Sequence, residues 1–120
     1  MTWILFDFDS QNRKLEIGQN STYSGNGWLV SWRKVCGNLI RVSIEQTFDS
    51  IPAYSNALVV AGLPFVPAFN QDLYAIMCVG YQAVQTEAYF TFGSNAAAYL
   101  TCKEYGANIT VKASGFLVVN

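Results

Sequence analysis

Histidine is missing from the 120-residue chain, and charged side chains make up only 12% of it. The first absence removes the group most often used for general acid–base work, and the usual activating partner of a nucleophilic cysteine. The second leaves the chain at about half the ~25% charge usual in soluble domains. With 52% hydrophobic residues, a monomer has too few charges to cover its surface. Either Ser, Thr, Asn and Gln take the outside, or part of it is buried against other subunits. Net charge is −1, and no basic cluster exceeds Arg13-Lys14 or Arg33-Lys34, so the electrostatic footprint of a nucleic-acid binder is absent. No window approaches the ~20 apolar residues of a membrane span, so no membrane insertion is expected. Trp3 to Phe8 is broken by Asp7 and has no basic leader, so it does not read as a signal peptide. Cys36, Cys78 and Cys102 are odd in number and lack metal-ligand spacing, which reads as free, largely apolar thiols. Asp7 and Asp9 share a strand face and Glu87 stands alone, which gives a two-carboxylate glycosidase site little support. The expectation is a non-enzyme with no metal and no cofactor.

What is present is alternation. From Gly25 to Phe48 the chain reads as two long strands folded back at Cys36-Gly37-Asn38, where Gly and Asn tolerate the positive φ of a tight hairpin. Trp28, Val30 and Trp32 share one face of the first strand; Ile40, Val42 and Ile44 share one face of the second. Before this block, Trp3 to Asp9 and Lys14 to Ile17 read as a hairpin with Phe8 opposite Leu15 and Asp9 opposite Lys14. Gly18 to Gly27 reads as a polar connection. After it come a loop over 49–56, a short strand over 57–61, and a strand over 73–80 expected to be buried on both faces. Two further hairpins are expected, 86–92 with 97–103 and 107–112 with 116–119. Many short strands with regularly spaced turns predict one all-β domain over residues 1–120, an antiparallel β-sandwich or jelly-roll-like barrel.

One hairpin fixes its own register. Ala88, Phe90 and Phe92 alternate with Glu87, Tyr89 and Thr91; Ala98, Leu100 and Cys102 alternate with Tyr99, Thr101 and Lys103. A turn centred on Asn95 pairs Phe90 with Leu100 and Phe92 with Ala98 inward. Outward it pairs Thr91 with Tyr99, Tyr89 with Thr101, and Glu87 with Lys103. A slip of one residue would drive Tyr and Lys into the core. The outward strip Glu87, Tyr89, Thr91, Tyr99, Thr101 and Lys103 is the candidate ligand-binding surface. Tyrosine rings offer an apolar plane to the C–H face of a sugar, and hydroxyls and charges bond its hydroxyl groups. An ordinary solvent face or a subunit interface would carry the same residues.

From Leu15 to Asn120 the chain carries, in order, LEIGQNSTYSGNGWLVSWRKVCGNLIRVSI, then AGLPFVPA, AYFTFGSNAAAYLT and the closing VKASGFLVVN. That order of features resembles the C-terminal head of tail-tip receptor-binding proteins from siphophages of lactic-acid bacteria, and more broadly phage tail-fibre tips. The resemblance implies a homotrimeric head that binds a bacterial cell-wall saccharide and attaches the virion to its host. It implies a place at the virion's tail tip or baseplate, contacts with other tail and baseplate proteins, and synthesis in the host cytoplasm. It also implies that residues 1–18 are the end of a neck or linker hairpin and that the chain is a C-terminal domain of a longer one. The family's sugar site lies on strands matching the Tyr89 and Tyr99 hairpin, although the histidine, tryptophan and arginine of such a pocket are not at matching places here. Two other readings share the architecture: a purely structural trimerisation or capsid-type jelly-roll domain, and a C1q/TNF-like trimeric binding head.

Overall fold

The structure, a computed structural model, describes residues 21–84 and 86–120, with side chains described from Asn26 onward. The expected hairpin of Trp3–Asp9 with Lys14–Ile17 lies outside them. Among the described residues there is no helix, and therefore none long and apolar enough to cross a membrane. Nine antiparallel strands follow in order: β1 Ser21–Gly25, β2 Trp28–Cys36, β3 Leu39–Phe48, β4 Tyr54–Val60, β5 Gln71–Val79, β6 Gln82–Val84, β7 Ala88–Gly93, β8 Ala97–Cys102 and β9 Ile109–Val118. They form one connected sheet in the order β1-β2-β3-β9-β5-β7-β8-β4, with β6 paired to β5.

The organising hairpin is as the alternation predicts. Cys36 stands opposite Leu39 across a two-residue turn, with Gly37 at φ 50°. Trp28, Val30, Ile40, Val42 and Ile44 are all buried, and the intervening Arg33, Arg41, Ser43 and Glu45 are exposed. The stretch before it differs from expectation. Ser21–Gly25 is a strand paired with β2, joined by Asn26 and Gly27, both at positive φ. Asn-Gly is the strongest sequence signal for such a turn, but the polarity of Ser21–Gly25 disguises the strand that precedes it.

β5 bends the architecture. Its first half, Gln71 to Tyr74, pairs with β7, and its second half, Ala75 to Cys78, pairs with β9. The sheet therefore has two halves, β1-β2-β3-β9 and β7-β8-β4, hinged on one strand. Four strand spacings separate β2 from β7, about 19 Å on a flat sheet. Yet the Trp28 ring lies 5.3 Å from that of Phe90, edge to face. Only a sheet that curls over can bring them together. Phe65, on the segment between β4 and β5, extends the same core by touching Trp32 at 5.7 Å and Phe92 at 6.4 Å.

Three further expectations are corrected. The loop over 49–56 gives way at Tyr54, because β4 begins there and pairs with Cys102 of β8. β5 is not buried on both faces: Leu73 and Met77 point inward, but Tyr74 is 85% and Ile76 51% exposed. The expected hairpin of 107–112 with 116–119 is instead one ten-residue strand, β9, whose whole length pairs with β3 from Ile109↔Phe48 to Val118↔Leu39. Ala113-Ser114-Gly115 reads as a turn, yet the alternation runs straight through it. Ile109, Val111, Ala113 and Leu117 are buried. Gly115 holds the fourth of the five inward positions, and a Cβ built there would meet Leu73 Cδ2 at 2.6 Å. The glycine is a vacancy in β9 that Leu73 of β5 fills, at the level where β5 has turned away toward β7.

The cysteines are free thiols: Cys36 exposed at the hairpin turn, Cys78 half-buried, Cys102 buried with its Sγ 3.7 Å from the carbonyl of Pro52. Burial pushes the Cys102 thiol above its ordinary value, partly offset by a backbone hydrogen bond with Tyr54. Alkylation of the native protein should therefore label Cys36 first and Cys102 last, as read by peptide mass mapping over time. Because the thiolate forms more readily in the unfolded chain, this group favours folding fully below the unfolded thiol pKa of about 8.5. That contribution fades as pH rises toward the higher folded-state value. Replacing Cys102 with alanine should flatten the alkaline decline in thermal stability.

Candidate functional site

The β7–β8 hairpin has the register its alternation predicts. Phe90 faces Leu100, Phe92 faces Ala98, Thr91 faces Tyr99 and Tyr89 faces Thr101. Ser94, Asn95 and Ala96 form the connection, closed by a hydrogen bond from the Ala96 N–H to the Gly93 carbonyl at 3.0 Å. The inward residues Ala88, Phe90, Phe92, Ala98, Leu100 and Cys102 are all buried. The ladder ends at Ala88 opposite Cys102; Glu87 and Lys103 stand just beyond it, both exposed.

Tyr89, Thr91, Tyr99 and Thr101 lie on the outer face but are half-buried, because the hairpin has neighbours on both sides. β5 places Tyr74 opposite Tyr89 and Asp72 opposite Thr91. β4 places Leu58 opposite Tyr99, with Asn56 close to Thr101. The strip is thus the middle of a broader face four strands wide. Thr91 Oγ1 donates to Asp72 Oδ1 at 2.7 Å, Asn95 Nδ2 donates to the Tyr99 hydroxyl at 2.7 Å, and the Asn56 N–H donates to Thr101 Oγ1 at 3.0 Å. Three of the four central polar groups are therefore held by the protein itself. The fourth, Tyr89, sits against Tyr74 with ring centroids 6.5 Å apart and planes at 72°.

Tyr74, Asp72, Asn56 and Leu58 lie on β5 and β4, outside the strip that the hairpin's own alternation defines. Each reaches it from a neighbouring strand outside the hairpin, the first two through the β5–β7 ladder that runs from Gln71↔Phe92 to Tyr74↔Tyr89. Chemically, the face offers two tyrosine rings at an angle, one carboxylate, and a frame of fixed hydroxyls. Among the described residues, no group of three or more Cys, Asp or Glu side chains is placed to hold a metal ion. The chain matches no protein-family model and no curated protein.

Proposed function

We propose that the chain is a non-catalytic receptor-binding head of a phage tail tip, a β-sandwich that assembles as a homotrimer and attaches the virion to a saccharide on the host surface. The observation that carries this reading is the outer face of β5, β7 and β8. There Tyr74 and Tyr89 form an angled aromatic pair beside the Asp72–Thr91 hydrogen bond. An aromatic plane with a carboxylate at its edge suits a pyranose ring, which stacks through its C–H face and donates hydroxyl hydrogens sideways. The curling of the sheet, with Trp28 against Phe90, supports the sandwich.

A second reading has its own support. Leu58, Tyr74 and Ile76, each more than half exposed, flank the same face. Apolar side chains of this size, contiguous with tyrosines, also suit a subunit interface. One experiment separates the two. Wild type and Tyr89→Ala are applied to an array of cell-wall polysaccharide fractions, and each is sized by light scattering. The receptor reading expects a trimer in both cases and loss of glycan signal in the variant. Multivalency amplifies the loss, since three weak sites fail together. Unchanged binding with unchanged assembly would leave the face merely solvated; a variant that becomes monomeric would assign it to the interface.

A further inference from the structure

The other half of the sheet carries a second constellation on its outer face. Arg33 of β2 stands directly opposite Arg41 of β3, and both are exposed. Like charges directly opposed on one sheet face repel, and proteins ordinarily place a carboxylate nearby. Here none is paired with either guanidinium among the described residues. Glu45, the acid of β3 on the same face, lies two pleats from Arg41, about 14 Å along the strand, and it stands opposite Lys112. That separation exceeds the ~10 Å over which exposed charges interact at moderate salt.

The adjoining row holds three serines in line: Ser31 opposite Ser43, and Ser43 opposite Ser114 of β9. Between the rows runs a groove of about 250 Å³ lined by Arg33, Arg41, Ser31, Ser43 and Ser114. Trp32 and Val42 lie between these residues in sequence and form its floor; their side chains go to the opposite face, Val42 fully buried and Trp32 against Phe65. Arg41 is held in place rather than loose. Its Nη2 donates to Ser114 Oγ at 3.0 Å, and its guanidinium carbon lies 5.8 Å from the Phe116 ring centroid.

We infer that this groove binds a tetrahedral oxyanion, the phosphate group of a phosphate ester. An opposed pair brings the Cβ atoms of Arg33 and Arg41 within about 5 Å, close enough for both planar forks to reach one anion. A carboxylate presents two oxygens in one plane and saturates with a single fork. A phosphate presents three or four oxygens around a tetrahedron and can accept from both forks and from a serine hydroxyl besides. Such an anion would also remove the repulsion between the two arginines. The site lies on strands β2, β3 and β9 and does not depend on the saccharide reading of the other half.

The test is a nuclear magnetic resonance titration of the intact chain with inorganic phosphate, against sodium chloride at equal ionic strength. The arginine Nε–H resonances and the Ser43 amide report the groove. Phosphate is expected to shift Arg33, Arg41 and Ser43 together along one saturating curve, with chloride giving no saturation. Arg41→Gln should weaken binding by about tenfold or more, the usual scale for losing charge-assisted hydrogen bonds. Ser43→Ala should weaken it less, and the melting temperature should hold in both variants. Glycerol 3-phosphate and phosphatidylglycerol vesicles then identify the source. Saturation by the soluble ester alone supports a soluble or polymer phosphate, and Arg41-dependent vesicle binding supports a lipid headgroup. Equal shifts with chloride and phosphate, or full phosphate affinity in an Arg33→Gln/Arg41→Gln double variant, would overturn the inference.

Discussion

Replacing Phe90 with alanine is expected to cost about 3–5 kcal/mol, the range for a fully buried phenylalanine. Phe90 has no exposed surface and is flanked in the sheet by Leu73 and Leu100. It also carries the edge-to-face contact with Trp28 across the curl. Truncation therefore removes packing within one half of the sheet and a contact between the halves at once. A domain of this size is typically stable by only 5–15 kcal/mol, so the variant should lose much of its margin. Urea denaturation followed by tryptophan fluorescence is the measurement, since Trp28 reports on the lost neighbour. Tyr89→Ala, one residue earlier on the opposite face, is the internal control and should cost far less. A Phe90→Ala protein within about 1 kcal/mol of wild type would contradict the curled packing described above, because ordinary core truncations cost 2 kcal/mol or more.

Gly115→Val should cost about 1–3 kcal/mol by overpacking. The isopropyl group would enter the space that Leu73 Cδ2 already occupies, and Leu73 is buried with little room to swing aside. Gly115→Ala is a gentler test, because a single methyl can be met by a small shift of the leucine's end. The decisive form is a double-mutant cycle. Leu73→Ala alone leaves a cavity and destabilises; combined with Gly115→Val it should cost clearly less than the two changes added separately, since each relieves the other's fault. Strict additivity would mean that the two side-chain positions do not compete.

These two sites also show where the sequence is legible. Phe90 announces itself: a strict period of two, a turn of small polar residues, and a partner strand with matching alternation fix both register and facing. The β2–β3 hairpin is legible for the same reasons. Gly115 is not, since a glycine after Ala and Ser looks like a break, and its role depends on Leu73, which sits over forty residues away. Ser21–Gly25 hides because its residues carry no apolar alternation to set against solvent. The long apolar run of β5 hides in another way, since hydrophobicity alone does not tell whether both faces are covered. At the candidate site, the residues of one hairpin could be named from its own alternation. Tyr74, Asp72 and Leu58 could not, because their adjacency comes from strand pairs far apart in the chain. The same holds for Ser114: Arg33, Arg41, Ser31 and Ser43 are opposed within one legible hairpin, but the third serine of the row comes from β9.

The position of β9 has a consequence for the order in which the molecule can be made. This strand lies between β3 and β5 in the sheet, yet it follows every other described strand in the chain. On the ribosome, β1, β2 and β3 can pair as soon as they emerge, and so can the β7–β8 hairpin with β4 and the first half of β5. Until Ile109 to Val118 leaves the exit tunnel, β3 and the second half of β5 each present one bare edge. Each is a ready template for a strand from another nascent chain. Completion of the sheet is therefore a late event, made when the last strand slots between two open edges. Production in cells should accordingly be limited by the lifetime of that gapped intermediate: slower translation before Ile109 lengthens the exposure and lowers soluble yield, and co-expressed holdase chaperones restore it.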